Sequence, residues 1–207
     1  MPKHPNLEAI TSFLNTVGFK KRAGDVFTLD LMPGVLGWLG LNRATQHRAP
    51  GEVEINPVVG VRFQEVERVV AECRGEKFHN YQPPTISTPL GYLMPEAKYK
   101  AWVIVPGHSA EGIATDMGNA ITTYGVKFMR SVVDLVELQK RLEERSGFEH
   151  QLIYRRPVAA FIAGEPGKAR ALLDVGLVAI GTRTDLAAAE FRKFAESLRR
   201  RLPPELR

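Results

Sequence analysis

Few residue patterns in this 207-residue chain have the spacing that chemistry demands. The first is "VIVPGHSAEG", Val103 to Gly112, where an apolar run meets a Pro-Gly turn and then the start of a helical pattern. Backbone amides at such a junction hold anions, and His108 and Ser109 would add donors. The stretch lacks the GxxxxGK[ST] of a nucleotide loop, and Ser109 has the ordinary task of a helix cap, so capping is the favoured reading. The five histidines, His4, His47, His79, His108 and His150, form no HxH or HExxH pair. A single cysteine, Cys73, allows neither an intrachain disulfide nor a thiolate cluster, and no metal and no cofactor is expected. Cys73 lies in "EVERVVAECRG" with no histidine at an activating spacing, which favours a buried structural thiol. There is no GxSxG elbow. The pairs Glu52 with Glu54 and Glu143 with Glu144 fall on faces that the strand and helix patterns assign to solvent, where nothing would shift a carboxylate toward acid–base work. No catalytic residue is assigned, and the balance leans away from an enzyme.

Two groups remain as binding surfaces. Between Glu76 and Ala97 runs a proline-rich, aperiodic stretch that is too long for a plain connection and carries Phe78, His79, Tyr81 and Tyr92. These four are the candidate partner-binding residues. At the other end of the chain, Phe191, Phe194, Leu198 and Leu202 form an apolar helical stripe, backed by Arg192, Lys193, Arg199 and Arg200, with Arg201 next to them. A solvated face is the favoured reading of these cations. The alternative is a nucleic-acid or acidic-protein surface that Arg155, Arg156 and Arg183 would join. The formal charge of +5 lies wholly in the last quarter, since residues 151–207 hold eleven Lys and Arg against six Asp and Glu.

The elements that would position these groups are legible in outline. With 44% hydrophobic and 25% charged residues the chain reads as globular. No run approaches the roughly 18 apolar residues of a membrane span, and "MPKHPNLEAI" lacks the apolar core of a secretory signal, so a cytoplasmic address without membrane partners is expected. "NLEAITSFLNTVGF" predicts a helix capped at Asn6 and stopped at Gly18. "VFTLDL" predicts a strand hairpinned through Gly24 to the segment before it, with Lys20, Lys21 and Arg22 as its solvated rim rather than a ligand hook. "GVLGWLGLNRAT" and "GEVEINPVVGVRF" predict two more strands. In the latter Val53, Ile55, Val59, Val61 and Phe63 share the buried face, while Glu52, Glu54 and Arg62 take the other. Pro57 places that strand at an edge or a bulge. "YKAWVIV" is a fourth strand. The rest is helical: Gln64 to Gly75, a long pattern from Ser109 with a break or kink near Tyr124 and Gly125 that separates two helices, and three helices after residue 150, the last starting at Thr184 or Asp185. The expected fold class is α+β: a mainly antiparallel sheet of four or more strands from the N-terminal half, packed against helices, with a helical C-terminal half. A single domain over 1–207 is expected, β-rich over 1–108 and helical over 109–207.

"FLNTVGFKKRAGDVFTLDL" followed by "EINPVVGVRF" and a helix resembles an uncharacterised bacterial domain-of-unknown-function family: short helix, Gly-Phe-basic turn, aromatic strands, helical tail. The resemblance lies mainly in residues 1–75. It implies no catalytic residues. By analogy with small α+β families of bacterial conflict systems, it implies an immunity-like or accessory role in bacterial defence. The leading functional expectation is therefore a non-catalytic protein that binds another macromolecule, a protein in the first place, through its sheet face and the proline-rich loop. A nucleic-acid module using the C-terminal helix and a small enzyme with an anion site at His108 are the alternatives.

Overall fold

The alternating residues between Lys20 and Phe63 form a sheet, described in a computed structural model that covers residues 5–44, 49–107, 109–144 and 149–204. Helix α1 (Pro5–Thr16) is followed by strands β1 (Lys20–Lys21), β2 (Val26–Met32), β3 (Val35–Ala44) and β4 (Val53–Phe63), then helix α2 (Gln64–Arg74). Strands β5 (Ile86–Pro89) and β6 (Trp102–Ile104) come next. The sheet order is β1-β2-β3-β4-β5 with β6 also on β4, and the β1–β2, β2–β3 and β4–β6 pairs are antiparallel. The fold is α+β, as the sequence implies. The residues divide into two compact units, the first of 1–61 with 87–133, the second of 62–86 with 134–207.

In the first unit the hairpin is as expected. Lys20 opposes Thr28 and Lys21 opposes Phe27. Lys20 meets Asp30 at 2.6 Å, Arg22 donates to Thr28 Oγ1 at 2.9 Å, and the Lys21 ammonium sits 5.9 Å from the Phe27 ring centre. All three cations are taken up by the rim. Helix α1 begins at Pro5, so Asn6 falls inside it rather than at its cap.

Strand β4 departs from expectation. It is central, between β3 and β5, with β6 also paired to it. The β6 pairing covers Val53, Glu54 and Ile55 and does not reach Pro57. Nor is the polar side of β4 solvated, for Glu54 is buried and its carboxylate accepts the Tyr99 hydroxyl. The segment after α2 also holds more order than its prolines suggest, namely β5 and a 3-10 turn at Leu90–Leu93.

Helix α3 (Glu111–Ala120) gives way at the expected place, Tyr124 and Gly125, to a π-helical turn (Ile121–Gly125) that separates it from α4 (Val126–Ser131). Gly125 also serves close approach, because a Cβ there would lie 3.0 Å from Val59 Cγ1. The chain breaks at Val132, which leaves helical dihedrals, and restarts at Asp134, whose carboxylate accepts the Glu137 N–H at 2.8 Å.

The second unit is helical: α2, α5 (Leu135–Glu143), α6 (Glu149–Ile162), α7 (Pro166–Ile180) and α8 (Leu186–Arg199). Asp185 caps α8. Phe191, Phe194 and Leu198 are fully buried, and Tyr154 meets both phenylalanines edge-on at 5.6 and 4.9 Å. Helix α2 packs on both α6 and α8, and α6 packs on α5 and α7.

Two glycines of α7 make opposite predictions. A Cβ on Gly176 would fall 2.4 Å from Phe191 Cζ, in a ring with nowhere to go, whereas a Cβ on Gly167 meets nothing within 4 Å. Gly176→Ala should lower the urea-derived unfolding free energy by about 1–3 kcal/mol through overpacking. Gly167→Ala should leave it unchanged or raise it by up to ~1 kcal/mol through helix propensity.

Candidate functional site

Helix α2 buries two faces, and the second of them makes the site. Val66, Val69, Val70 and Cys73 form the apolar stripe, with Cys73 beside Ser197 of α8. Burial pushes the Cys73 thiol up, which suits a structural role and not a nucleophile. About a quarter-turn round the helix stand Glu67, Ala71 and Arg74, and here the partner is α6. Arg155 Nε donates to Glu67 Oε1 at 2.8 Å and its terminal nitrogen to Oε2 at 3.2 Å, a bidentate pair in which Arg155 is 2% and Glu67 6% exposed.

Arg62, the penultimate residue of β4, completes the group. It is 1% exposed and lies 3.8 Å from Glu67 Oε2. Its Nε donates to Gln64 Oε1 at 3.0 Å, and its two terminal nitrogens donate to the backbone carbonyls of Pro83 and His79. Gln64 Nε2 in turn donates to Asn80 O at 2.8 Å, and Phe63 N to Thr85 Oγ1 at 3.0 Å. The loop after α2 is thereby tied down along much of its length. Burial lowers Arg62 to about 10, with Glu67 opposing and Arg155 adding to the fall; it therefore keeps its charge at neutral pH. Arg62 and Arg68 both lie over the Phe78 ring, at 5.3 and 5.2 Å.

These side chains wall a cleft of about 120 Å³. Four cations line it, Arg62, Arg74, Lys77 and Arg155, against two carboxylates, Glu67 and Glu76. Val70, Ala71, Phe78 and Tyr154 supply apolar surface, and Gln151 of α6 contributes an amide. Arg74 stacks on Tyr154 at 4.6 Å and pairs with Glu76 at 2.7 Å, yet its Nε is buried without a hydrogen-bond partner. Gln151 Oε1 is in the same condition. The Tyr154 hydroxyl is pushed up by burial, so it stays protonated at neutral pH. Both oxygens of Glu67 are occupied by Arg155. The arrangement can hold an anion, and none of its groups is paired as nucleophile and base.

Of the partner-binding residues read from sequence, Phe78 and His79 line this cleft and Tyr81 stands beside them, 37% exposed. Tyr92, 53% exposed, belongs to the first unit, on its 3-10 turn. The C-terminal cations meet acceptors within the protein: Arg192 bonds the carbonyls of Gly181 and Arg183, Arg199 pairs with Asp174, Arg200 with Glu196, and Arg201 with Glu72. Lys193 is exposed. Arg155, read as a possible member of that surface, is instead buried against Glu67, Arg156 donates to Leu142 O, and Arg183 pairs with Asp185. His108 lies outside the described residues, as do His4 and His47; the Ser109 hydroxyl accepts the Glu111 N–H at 3.3 Å, but the cap position of α3 is Ala110, one residue later than the sequence reading placed it. Among the described residues no group of three His, Cys, Asp or Glu side chains could hold a metal ion, and no helix is long and apolar enough to cross a membrane.

Glu67 is the residue that sequence reasoning missed, while Arg62 was assigned to the solvated face of its strand and Arg155 to the C-terminal cationic surface. One signal was present: an arginine inside the apolar run "VVGVRF" has no cheap burial without a carboxylate nearby, and Glu67 follows within the next turn and a half. Comparison with known proteins finds no matching family model, no matching curated protein and no matching solved structure.

The three-residue group is directly testable. Glu67→Gln leaves two buried guanidiniums without an anion and should cost about 3–5 kcal/mol in urea unfolding. In the Arg155→Met background the same change should cost less by at least 1 kcal/mol, a coupling that a double-mutant cycle reads out.

Proposed function

We propose that this protein is a non-catalytic binding protein of the accessory or immunity-like kind, which recognises an anionic feature of a partner protein in the cleft between α2, α6 and the 76–83 loop. The observation that carries this reading is the excess of buried positive charge in the cleft wall: two guanidiniums, Arg62 and Arg155, share one carboxylate. Water solvates such an excess poorly once it is shut in by apolar walls, and an incoming anion relieves it. The loop supports the reading from the other side. Because Arg62 and Gln64 hold its backbone, Phe78 and His79 stand ready at the rim without first having to be ordered, which keeps the entropic cost of association low. The cleft is the size of one side chain or chain end, which matches an anchor residue better than a substrate to be turned over.

The nucleic-acid reading has less behind it, since the arginines of α8 are engaged by carboxylates and carbonyls. Sheet-face binding has no comparable feature.

Panning random heptapeptides with free carboxyl termini against the full chain tests the proposal. Enrichment of anionic peptides is expected, at least tenfold weaker on Arg74→Glu, where repulsion replaces attraction, and unchanged on Lys193→Glu, a charge inversion on the C-terminal helix. No enrichment, or enrichment that Arg74→Glu leaves intact, would remove the cleft as the site.

A further inference from the structure

Arg62 Nη1 has two oxygens within reach. It donates to the backbone carbonyl of Pro83, and the same nitrogen lies 3.8 Å from Glu67 Oε2, about 1 Å beyond a charge-assisted hydrogen bond. Arg155 meanwhile holds both oxygens of that carboxylate, Oε1 at 2.8 Å and Oε2 at 3.2 Å. The longer of its two contacts is on the oxygen nearest to Arg62.

The loop depends on side-chain donors of this kind. Among the described residues, no backbone-to-backbone hydrogen bond is found for 77–80 or 82–84. Arg62 holds the carbonyls of His79 and Pro83, Gln64 holds that of Asn80, and the Phe78 ring lies under the guanidiniums of Arg62 and Arg68. Arg62 Nε also donates to Gln64 Oε1, so the one holder orients the other. Arg155, by contrast, spends its hydrogen bonds on Glu67.

We infer that residues 78–83 are a strap with two settings and that Arg62 is its latch: Nη1 holds Pro83 O while Arg155 occupies Glu67, and passes to Glu67 Oε2 when Arg155 lets go. The nitrogen travels about 1 Å. A buried arginine ordinarily resists losing an acceptor because its donors then go unmade. Here the carboxylate receives Nη1, and water entering behind the lifted strap serves Nη2. Two discrete partners for one nitrogen make the segment bistable rather than merely loose. Arg155 stands on α6 and Glu67 on α2, so a displacement of one helix against the other trips the latch. Release removes the part of the cleft wall made by Phe78, His79, Gln82 and Pro83. This goes beyond the anion reading and holds whatever the cleft binds. Arg155 is then a positioning residue for a loop to which it donates no hydrogen bond.

Backbone 15N order parameters of the full chain, read from Phe78 to Gln82, test the latch. In the wild-type protein they should lie near about 0.85, the value of rigid backbone, and in Arg155→Met they should fall below about 0.6, while the amides of α8 keep theirs. Adding Glu67→Gln to Arg155→Met should bring them back up, because a neutral amide no longer draws Arg62 away from the loop. Arg155→Lys keeps the charge but cannot hold both oxygens as a planar fork does, so it should loosen the strap in part, again reversibly with Glu67→Gln. That pair decides the matter if Arg155→Met does not fold. A strap that stays rigid in the folded Arg155 variants would overturn the inference, as would one already mobile in the wild-type protein. Loosening that Glu67→Gln leaves in place or worsens would overturn it too, for it would show damaged packing and no handover of Arg62.

Discussion

One buried interaction governs the second unit: the carboxylate of Glu67 held between the guanidiniums of Arg155 and Arg62. Taking an ion out of water costs several kcal/mol, and a pair repays this only when its geometry is good and its remaining donors are filled. Both conditions are met. Arg155 is bidentate, and Arg62 spends its donors on Gln64 and on two backbone carbonyls of the loop. A hydrophobic trio of the same volume would have packed as well or better. What it would not have done is specify the path of residues 79–83, because apolar contact has no direction and hydrogen bonds from a planar fork do. The ionic group sets loop geometry as much as it adds stability.

From this follows the division of labour on α2. One face is closed by α8 through Val66, Val69, Val70 and Cys73; the neighbouring face, with Glu67, Ala71 and Arg74, meets α6 and the cleft. A helix packed on two sides needs an apolar arc wider than a single stripe, unless charges on the second side are paired across to the next element. Arg155 and Tyr154 on α6 supply those partners, one by ion pair and one by cation–π stacking on Arg74. The cleft is the space that remains where a side-chain pair, rather than a close apolar seam, joins two helices.

Local pattern made much of the fold legible, and it failed in consistent places. The hairpin at Gly24, the strand at Trp102, the stripe of Phe191, Phe194 and Leu198 and the cap at Asp185 all follow from turn chemistry or periodicity within about ten residues. Errors arose where a distant partner decides. Alternation along β4 assigned Arg62 and Glu54 to solvent, since period two reports that the faces differ and not that one of them is wet. Pro57 spoke for an edge or a bulge, yet β4 lies between β3 and β5. Gly125 marked the place where the α-helix changes, and a π-helical turn ends there; the close approach of Val59 and the full break at Val132, ahead of the Asp134 cap, had no local signal. The candidate site was half visible: Phe78 and His79 stood out as aromatics in an aperiodic loop, whereas the charges behind them come from residues up to about ninety positions apart. Sequential order, strands first and helices later, likewise conceals that residues 62–86 are grouped with the helices after 134.

The location of charge, rather than its sum, separates the two candidate surfaces. The C-terminal helix holds much of the formal excess, but its arginines sit in water beside Asp174, Glu196 and Glu72 at half-exposed positions, where each pair contributes about 0–1 kcal/mol and cancels most of its own field. The buried group in the cleft wall, Arg62 and Arg155 around Glu67, holds one uncancelled positive charge, and all three side chains are almost wholly withdrawn from solvent. At 4 Å an ion pair is worth about 1 kcal/mol in water and about 4 at the effective dielectric of a protein site, so the smaller excess exerts the larger force over a contact distance. A field that is strong at short range and weak outside suits one anionic group entering a defined hole. It is poorly suited to tracking a phosphate backbone, whose affinity comes from many exposed cations acting together. Charge buried in this way is suited to a single anionic group rather than to an extended polyanion.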